Sequence, residues 1–188
     1  MKLFIGYASS EGQTRKIARH IADRLVDQGH SVELSALGDA GPVDLARFDR
    51  AVLGGSLHAG QYQRVLSEFA ADHAEALNTM PTLMLSVSLA AAGHDAEDWR
   101  GLDHILSDFT KATGWTPGRV VQVAGAYTPA QYDVFRHFIM RRIIAAKDPE
   151  ADPGHAIEYT DWWGNRYLFA GQADPTSMDF GSEPWDVT

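Results

Sequence analysis

Cysteine is absent from the 188 residues, and with it go disulfides, CxxC redox pairs, thiolate metal sites and cysteine-held iron–sulfur clusters. Any electrons this chain moves must be carried by a bound cofactor. Basic charge is also scarce: 16 Lys and Arg against 25 Asp and Glu leave a formal charge of −9. That balance argues against a general electrostatic grip on nucleic acid or anionic lipid and confines such contact to local patches. No apolar run reaches the length of a membrane span, and MKLFIGYASS turns polar too soon for a secretory h-region. A cytoplasmic location is therefore expected. The chain has no internal repeat. His20, His30, His73, His104, His137 and His155 lack paired ligand spacing, so no metal is expected.

What is present is regular. An apolar content of 45% over this length suits one domain with a sizeable core. Leu3 to Tyr7 reads as a buried strand, and Ile17, Ala18, Ile21, Ala22, Leu25 and Val26 form a helical stripe that Gly29 ends. Ser31 to Ser35, Arg50 to Ser56, Thr82 to Ser88 and Arg119 to Tyr127 supply four more strands. Helices fall between them, one carrying Val65, Leu66, Phe69, Ala70 and His73, another Leu102, Ile105, Leu106 and Phe109. This alternation calls for a parallel sheet covered on both faces, and five strands suit a doubly wound α/β sheet of order 2-1-3-4-5 with its crevice beyond the strand ends. An extra helix, Ala130 to Lys147, is inserted after the fifth strand, and a last helix is capped by Thr160 or Asp161. Trp162, Trp163 and Tyr167 on that helix are expected to pack on the core. Residues 1–170 form the domain, and 171–188 an acidic tail without period.

The first loop, YASSEGQTRKIA from Tyr7 to Ala18, sits where a doubly wound sheet presents backbone N–H groups to a phosphate. It lacks GK[ST], and Gly12 is its one glycine where a dinucleotide fingerprint needs three. A phosphoacceptor domain would need acids where Ala8-Ser9 and Gly54-Gly55 stand. Ser9, Ser10 and Thr14 instead offer hydroxyls to a terminal monoester. The stretches GGSLHAGQY and SVSLAAAG end the third and fourth strands in small residues, leaving room for a flat ring system. The pattern of Ser9, Gly12, Thr14 and Ala18 resembles the FMN-phosphate loop of flavodoxins, with Gly6 departing from the usual apolar strand residue.

A closer resemblance rests on EGQTRKIA, FDRAVLGGSLHAGQY, LNTMPTLMLSVSLAA, GWTPGRVVQVAGA, YDVFRHFIMRRI and EYTDW, in this order and spacing. Together they resemble the flavodoxin-type, quinone-linked protoporphyrinogen oxidase family of bacteria over about residues 1–162. The resemblance implies a flavodoxin-like FMN enzyme that dehydrogenates protoporphyrinogen IX, passes electrons to a quinone and serves heme synthesis. Its phosphate loop would be Ser9, Ser10, Glu11, Gly12, Gln13 and Thr14. The flavin ring would lie against Ser56, Leu57, His58, Tyr62, Ser88, Leu89, Ala90 and Ala91, with Tyr127 a further ring contact. The resemblance transfers no catalytic acid or base, and His58 is the candidate. Arg136 and Arg142 on the inserted helix are candidates for porphyrin propionates. That helix, Ala130 to Lys147, carries apolar residues on two sides, and a second subunit, the substrate or the inner face of the membrane could cover one of them. GHDAEDWRG, with three acids, departs from the basic loop of such enzymes and loosens the substrate assignment. A flavodoxin electron carrier, an NAD(P)H:quinone reductase and an interaction module without flavin remain open alternatives.

Overall fold

The computed structural model describes residues 1–92, 96–127, 157–158, 160 and 162. In chain order the elements are β1 (Lys2–Ala8), α1 (Gln13–Asp27), β2 (Ser31–Ala36), β3 (Arg50–His58), β4 (Gln61–Tyr62), α2 (Arg64–Asp72), α3 (Ala74–Thr79), β5 (Thr82–Ser88), α4 (Ala96–Thr113), β6 (Arg119–Ala124), β7 (Ala126–Tyr127) and β8 (Ile157–Glu158). The long strands run in parallel in the order β2-β1-β3-β5-β6. Counting those five alone, the order is the expected 2-1-3-4-5. The short β4 folds back antiparallel on the end of β3.

Strand periodicity divides the core between the two faces of the sheet. Leu3 and Ile5 join Ile17, Ala18 and Leu25 of α1 on one face, with Val52, Leu85 and Val121 from neighbouring strands. Phe4 and Leu53 point the other way, toward Leu66, Phe69, Leu77, Phe109 and Trp115. Every residue of the central β5 is buried, which is why TLMLSVS reads as an unbroken apolar run with small hydroxyls.

The glycines of β3 serve helix packing. A β carbon on Gly54 would stand 3.3 Å from Thr14 Cγ2 at the start of α1, and one on Gly55 would overlap Leu66 Cδ2 of α2. They therefore seat helices on opposite faces, and neither lines the crevice where the sequence placed a small-residue platform. Gly6 has a similar cause: a β carbon there would come within 2.7 Å of Leu37 Cδ2 and 2.9 Å of Phe4 Cε1.

Two boundaries differ from the sequence reading. The helix expected to run through His73 ends at Asp72, and the short α3 follows. The strand expected to reach Tyr127 breaks at the buried Gly125, whose N–H donates to the Ser88 carbonyl at 3.0 Å. Ala126 and Tyr127 pair instead with Glu158 and Ile157, antiparallel. The helix Ala130 to Lys147 with Arg136 and Arg142, most of the last helix with Trp163 and Tyr167, and the tail 171–188 lie outside the described residues.

Candidate cofactor site

The β1–α1 loop is shaped by its one glycine. Gly12 caps α1 at φ 88, a left-handed conformation that costs a glycine little, and its N–H donates to Ser9 Oγ at 3.0 Å. Among the described residues no side chain caps the helix, so its positive dipole end is turned to the loop. Thr14 follows, 1% exposed, and its buried Oγ1 has no hydrogen-bond partner among the described residues. Buried hydroxyls are almost always satisfied. An acceptor supplied from outside, such as an anionic oxygen at the helix N-terminus, would satisfy this one.

Beside this loop lies a cavity of about 300 Å³, at the small end of the range for ligand pockets. Its walls come from the carboxyl ends of the parallel strands: Ser9, Glu11, Gln13 and Thr14 after β1, Ser56 to Gly60 after β3, and Val87 to Ala90 after β5. Gly125 and Ala126 follow β6, and Leu102 and Ile105 of α4 close the apolar side. One end thus offers hydroxyls and helix N–H groups, and the remainder is lined by Leu57, Val87, Leu89, Leu102 and Ile105. That polarity suits a phosphate monoester carrying a flat apolar ring.

The β3–β4 hairpin carries the polar side chains opposite the loop. Ala59 (φ 50) and Gly60 (φ 78) form its turn, both at the positive φ that a two-residue hairpin of this twist requires. The turn sets His58 with Nε2 3.3 Å from Ser56 Oγ and Nδ1 3.8 Å from Glu11 Oε1. Gln63 organises the base of the hairpin: its Oε1 accepts the Ser56 N–H at 3.1 Å, and its Nε2 donates to Ser56 Oγ and, at 3.4 Å, to Ser10 Oγ. A carboxylate, an imidazole and a hydroxyl therefore form one polar edge across the mouth of the cavity.

Of the residues singled out in the sequence, Ser9, Glu11, Gln13, Thr14, Ser56, Leu57, His58, Ser88, Leu89 and Ala90 line this cavity together. Gly12 and the exposed Ser10 shape the loop without lining it. Ala91 is fully buried, its N–H donating to Ser88 Oγ at 3.0 Å. Tyr62 turns away: 8% exposed, it donates its hydroxyl to Ser86 Oγ at 2.9 Å and meets the Phe109 ring edge-on at 4.9 Å. Burial pushes its phenol above the usual range, the Ser86 hydrogen bond opposing this only in part. Tyr62 shares a sheet face with its cross-strand partner Leu57, and its ring reaches past the cavity into the cluster of Leu66, Phe109 and Trp115. The side chain of Tyr127 lies outside the described residues.

Sequence reasoning missed Gln63, Leu102 and Ile105, and it missed Glu158 and Thr160. The apolar stripe of α4 was visible in the sequence, but nothing in it distinguishes the part that faces a cavity from the part that faces a strand. Gln13 Nε2 donates to Glu158 Oε1 at 3.0 Å and to Thr160 Oγ1 at 2.7 Å. Trp162 Nε1 donates to the same Glu158 oxygen at 2.6 Å, and Lys16 Nζ lies 3.6 Å from the other. The Thr160 hydroxyl donates to the Ala124 carbonyl at 2.7 Å, and the helix it was expected to cap lies outside the described residues.

Desolvation pushes the Glu158 carboxyl up, but the Gln13, Trp162 and Lys16 contacts together outweigh it and hold the group below the usual carboxylate range. A depressed folded value contributes stability above the unfolded value, and that contribution is lost as pH falls through the folded one. The Trp162 indole N–H resonance should therefore follow the Glu158 titration with a midpoint below that of an ordinary glutamate. A midpoint at or above the ordinary value would contradict the contacts.

Among the described residues no cluster of three or more His, Asp or Glu could hold a metal ion, and no helix is long and apolar enough to cross a membrane.

A doubly wound parallel sheet of this strand order, with a crevice at the strand ends, defines a flavodoxin-like α/β domain. The chain belongs to the flavodoxin domain family, whose model matches residues 4–153. It is similar to protoporphyrinogen IX dehydrogenase (quinone) of Escherichia coli strain K12, with 29% identity over 162 residues, 86% of this chain and 89% of that protein. The protein of the same name from Leishmania major is 26% identical over 162 residues, 86% of this chain and 70% of that protein. A solved structure, oxidised flavodoxin 1 from Bacillus cereus, covers 66% of this chain and 84% of its own at 19% identity and a TM-score of 0.48.

Proposed function

We propose that this chain is an FMN-dependent oxidoreductase that dehydrogenates protoporphyrinogen IX and delivers the electrons to a quinone. The observation that carries the cofactor assignment is the buried, partnerless Thr14 hydroxyl at the uncapped start of α1, directly beside an apolar cavity. The substrate assignment rests on the names of the relatives from Escherichia coli and Leishmania major.

The chemistry a bound FMN would supply is acceptance of two electrons from the substrate and their transfer to the quinone. Ser9, Thr14 and the first-turn N–H groups would hold its phosphate. Leu57, Leu89, Leu102 and Ile105 would exclude water from its ring. His58, between Ser56 Oγ and Glu11 Oε1, can hold a proton on Nδ1 against the carboxylate and release it at the edge of the cavity. Arg136 and Arg142 are proposed to meet the substrate propionates, with the segment 130–147 as the face turned to the quinone-bearing membrane. The domain is taken to extend through residue 170.

The test is anaerobic oxidation of protoporphyrinogen IX, followed by porphyrin fluorescence, with FMN-loaded protein and a soluble menaquinone analogue. Quinone-dependent turnover above the protein-free rate is the expected result. FMN binding without porphyrinogen oxidation would favour a flavodoxin-type carrier, the reading that the charge of −9 suits.

A further inference from the structure

We propose that Thr160 and Glu158 are positioning residues for the phosphate end of the site, acting through the side chain of Gln13. The inference rests on the FMN reading and adds residues that lie far along the chain from the loop they serve.

Gln13 is the first residue of α1, lines the cavity and is 7% exposed. A glutamine at the first position of a helix ordinarily samples several rotamers, and ordering it costs free energy when a ligand arrives. Here the amide is already held by acceptors 145 and 147 positions away, the Glu158 carboxylate and the Thr160 hydroxyl. Each acceptor is itself secured. Thr160 Oγ1 donates to the Ala124 carbonyl at the end of β6, and Glu158 accepts from Trp162 Nε1 and pairs with Lys16. The Trp162 ring meets His20 of α1 edge-on at 5.3 Å.

These contacts tie the first turns of α1 to the end of β6 from the side away from the hairpin. They fix the residue next to the orphaned Thr14 and so hold the N–H groups of that turn in place before any ligand binds. Preorganisation of this kind contributes affinity for the group the turn receives, here the phosphate, and none for the ring.

The experiment compares FMN with riboflavin, which lacks the phosphate, by quenching of flavin fluorescence on titration with apoprotein. Thr160→Val is expected to raise the Kd for FMN roughly three- to tenfold, the size of one lost neutral hydrogen bond, and to leave the Kd for riboflavin unchanged. Thr160→Ser should restore the FMN value, and in a Gln13→Leu background Thr160→Val should add nothing. Glu158→Ala, read in a Lys16→Ala background so that the freed ammonium does not enter the comparison, should weaken FMN in the same selective way and stands in if Thr160→Val fails to fold. Equal weakening of both ligands, no weakening of FMN, or an undiminished Thr160→Val effect without Gln13 overturns the proposal. Wild-type protein that binds FMN no better than riboflavin overturns the phosphate-loop assignment itself, a different result from wild-type preference that survives Thr160→Val.

Discussion

Thr14→Val should make the apoprotein more stable and a much poorer FMN binder. Thr14 Oγ1 is buried and without a partner, so the free protein bears the desolvation of a hydroxyl with nothing in return. Replacing it with a methyl group of nearly the same shape removes that penalty, and a gain of about 1 kcal/mol in unfolding free energy is expected. Valine suffers no new strain, because both residues are β-branched and Thr14 Cγ2 already packs over Gly54.

The opposite holds for the ligand. A hydrogen bond to a charged phosphate oxygen is worth roughly 1.5–3 kcal/mol, so FMN affinity should fall about 10- to 100-fold. Urea unfolding of the apoprotein and a flavin titration measure the two halves separately. A variant less stable than wild type, or one that binds FMN as tightly, would show that the hydroxyl serves the fold. Loss of stability in exchange for a prepared site is the usual signature of a functional residue.

Trp115→Ala carries the largest expected cost to the fold. Trp115 is fully buried on the face opposite α1, in the same cluster as Phe4, Leu66 and Met84, with the Phe109 ring edge-on at 6.1 Å. Truncating a buried tryptophan removes its transfer free energy and leaves a cavity that its neighbours fill only in part, about 3–5 kcal/mol in total. For a domain of ordinary stability that is about a fifth of the whole at the least.

Trp115→Phe should cost far less, about 1–2 kcal/mol, since it retains most of the ring volume and also removes the indole N–H, which is buried without a partner among the described residues. Urea denaturation of the two variants gives the ordering. A loss below about 1 kcal/mol for the alanine variant would mean that the cluster collapses onto the vacancy or that Trp115 is not enclosed as described.

The order of the main strands and the place of the crevice were legible because they follow from period and alternation. Of the stripe Ile17, Ala18, Ile21, Ala22, Leu25 and Val26, four are buried against the sheet, Ile21 lies at its edge, and Val26 at the helix end is exposed. The hydroxyls around a single glycine fit a monoester phosphate better than a triphosphate, and one of them, Thr14 Oγ1, has no partner among the described residues. That the Tyr62 ring is buried against Phe109, with its hydroxyl on Ser86, was not legible, because no periodicity can be read from a two-residue strand. The paired glycines of β3 looked like room for a ring because the absence of a side chain does not tell which neighbour takes its space.

By itself, the sequence determined that electrons could not be carried on sulfur, that strands and helices alternate, and that one strand-to-helix turn is built of small hydroxyl residues. Those properties depend on composition and on spacings within a few residues, where the covalent chain already dictates the geometry. The tertiary structure alone decided that Gly54 seats Thr14, that Leu102 and Ile105 wall the cavity, and that Glu158 and Thr160 reach back to Gln13. Each of these is a contact between segments brought together by burial of the sheet, and burial selects partners by shape and by satisfaction of polar groups across the whole chain.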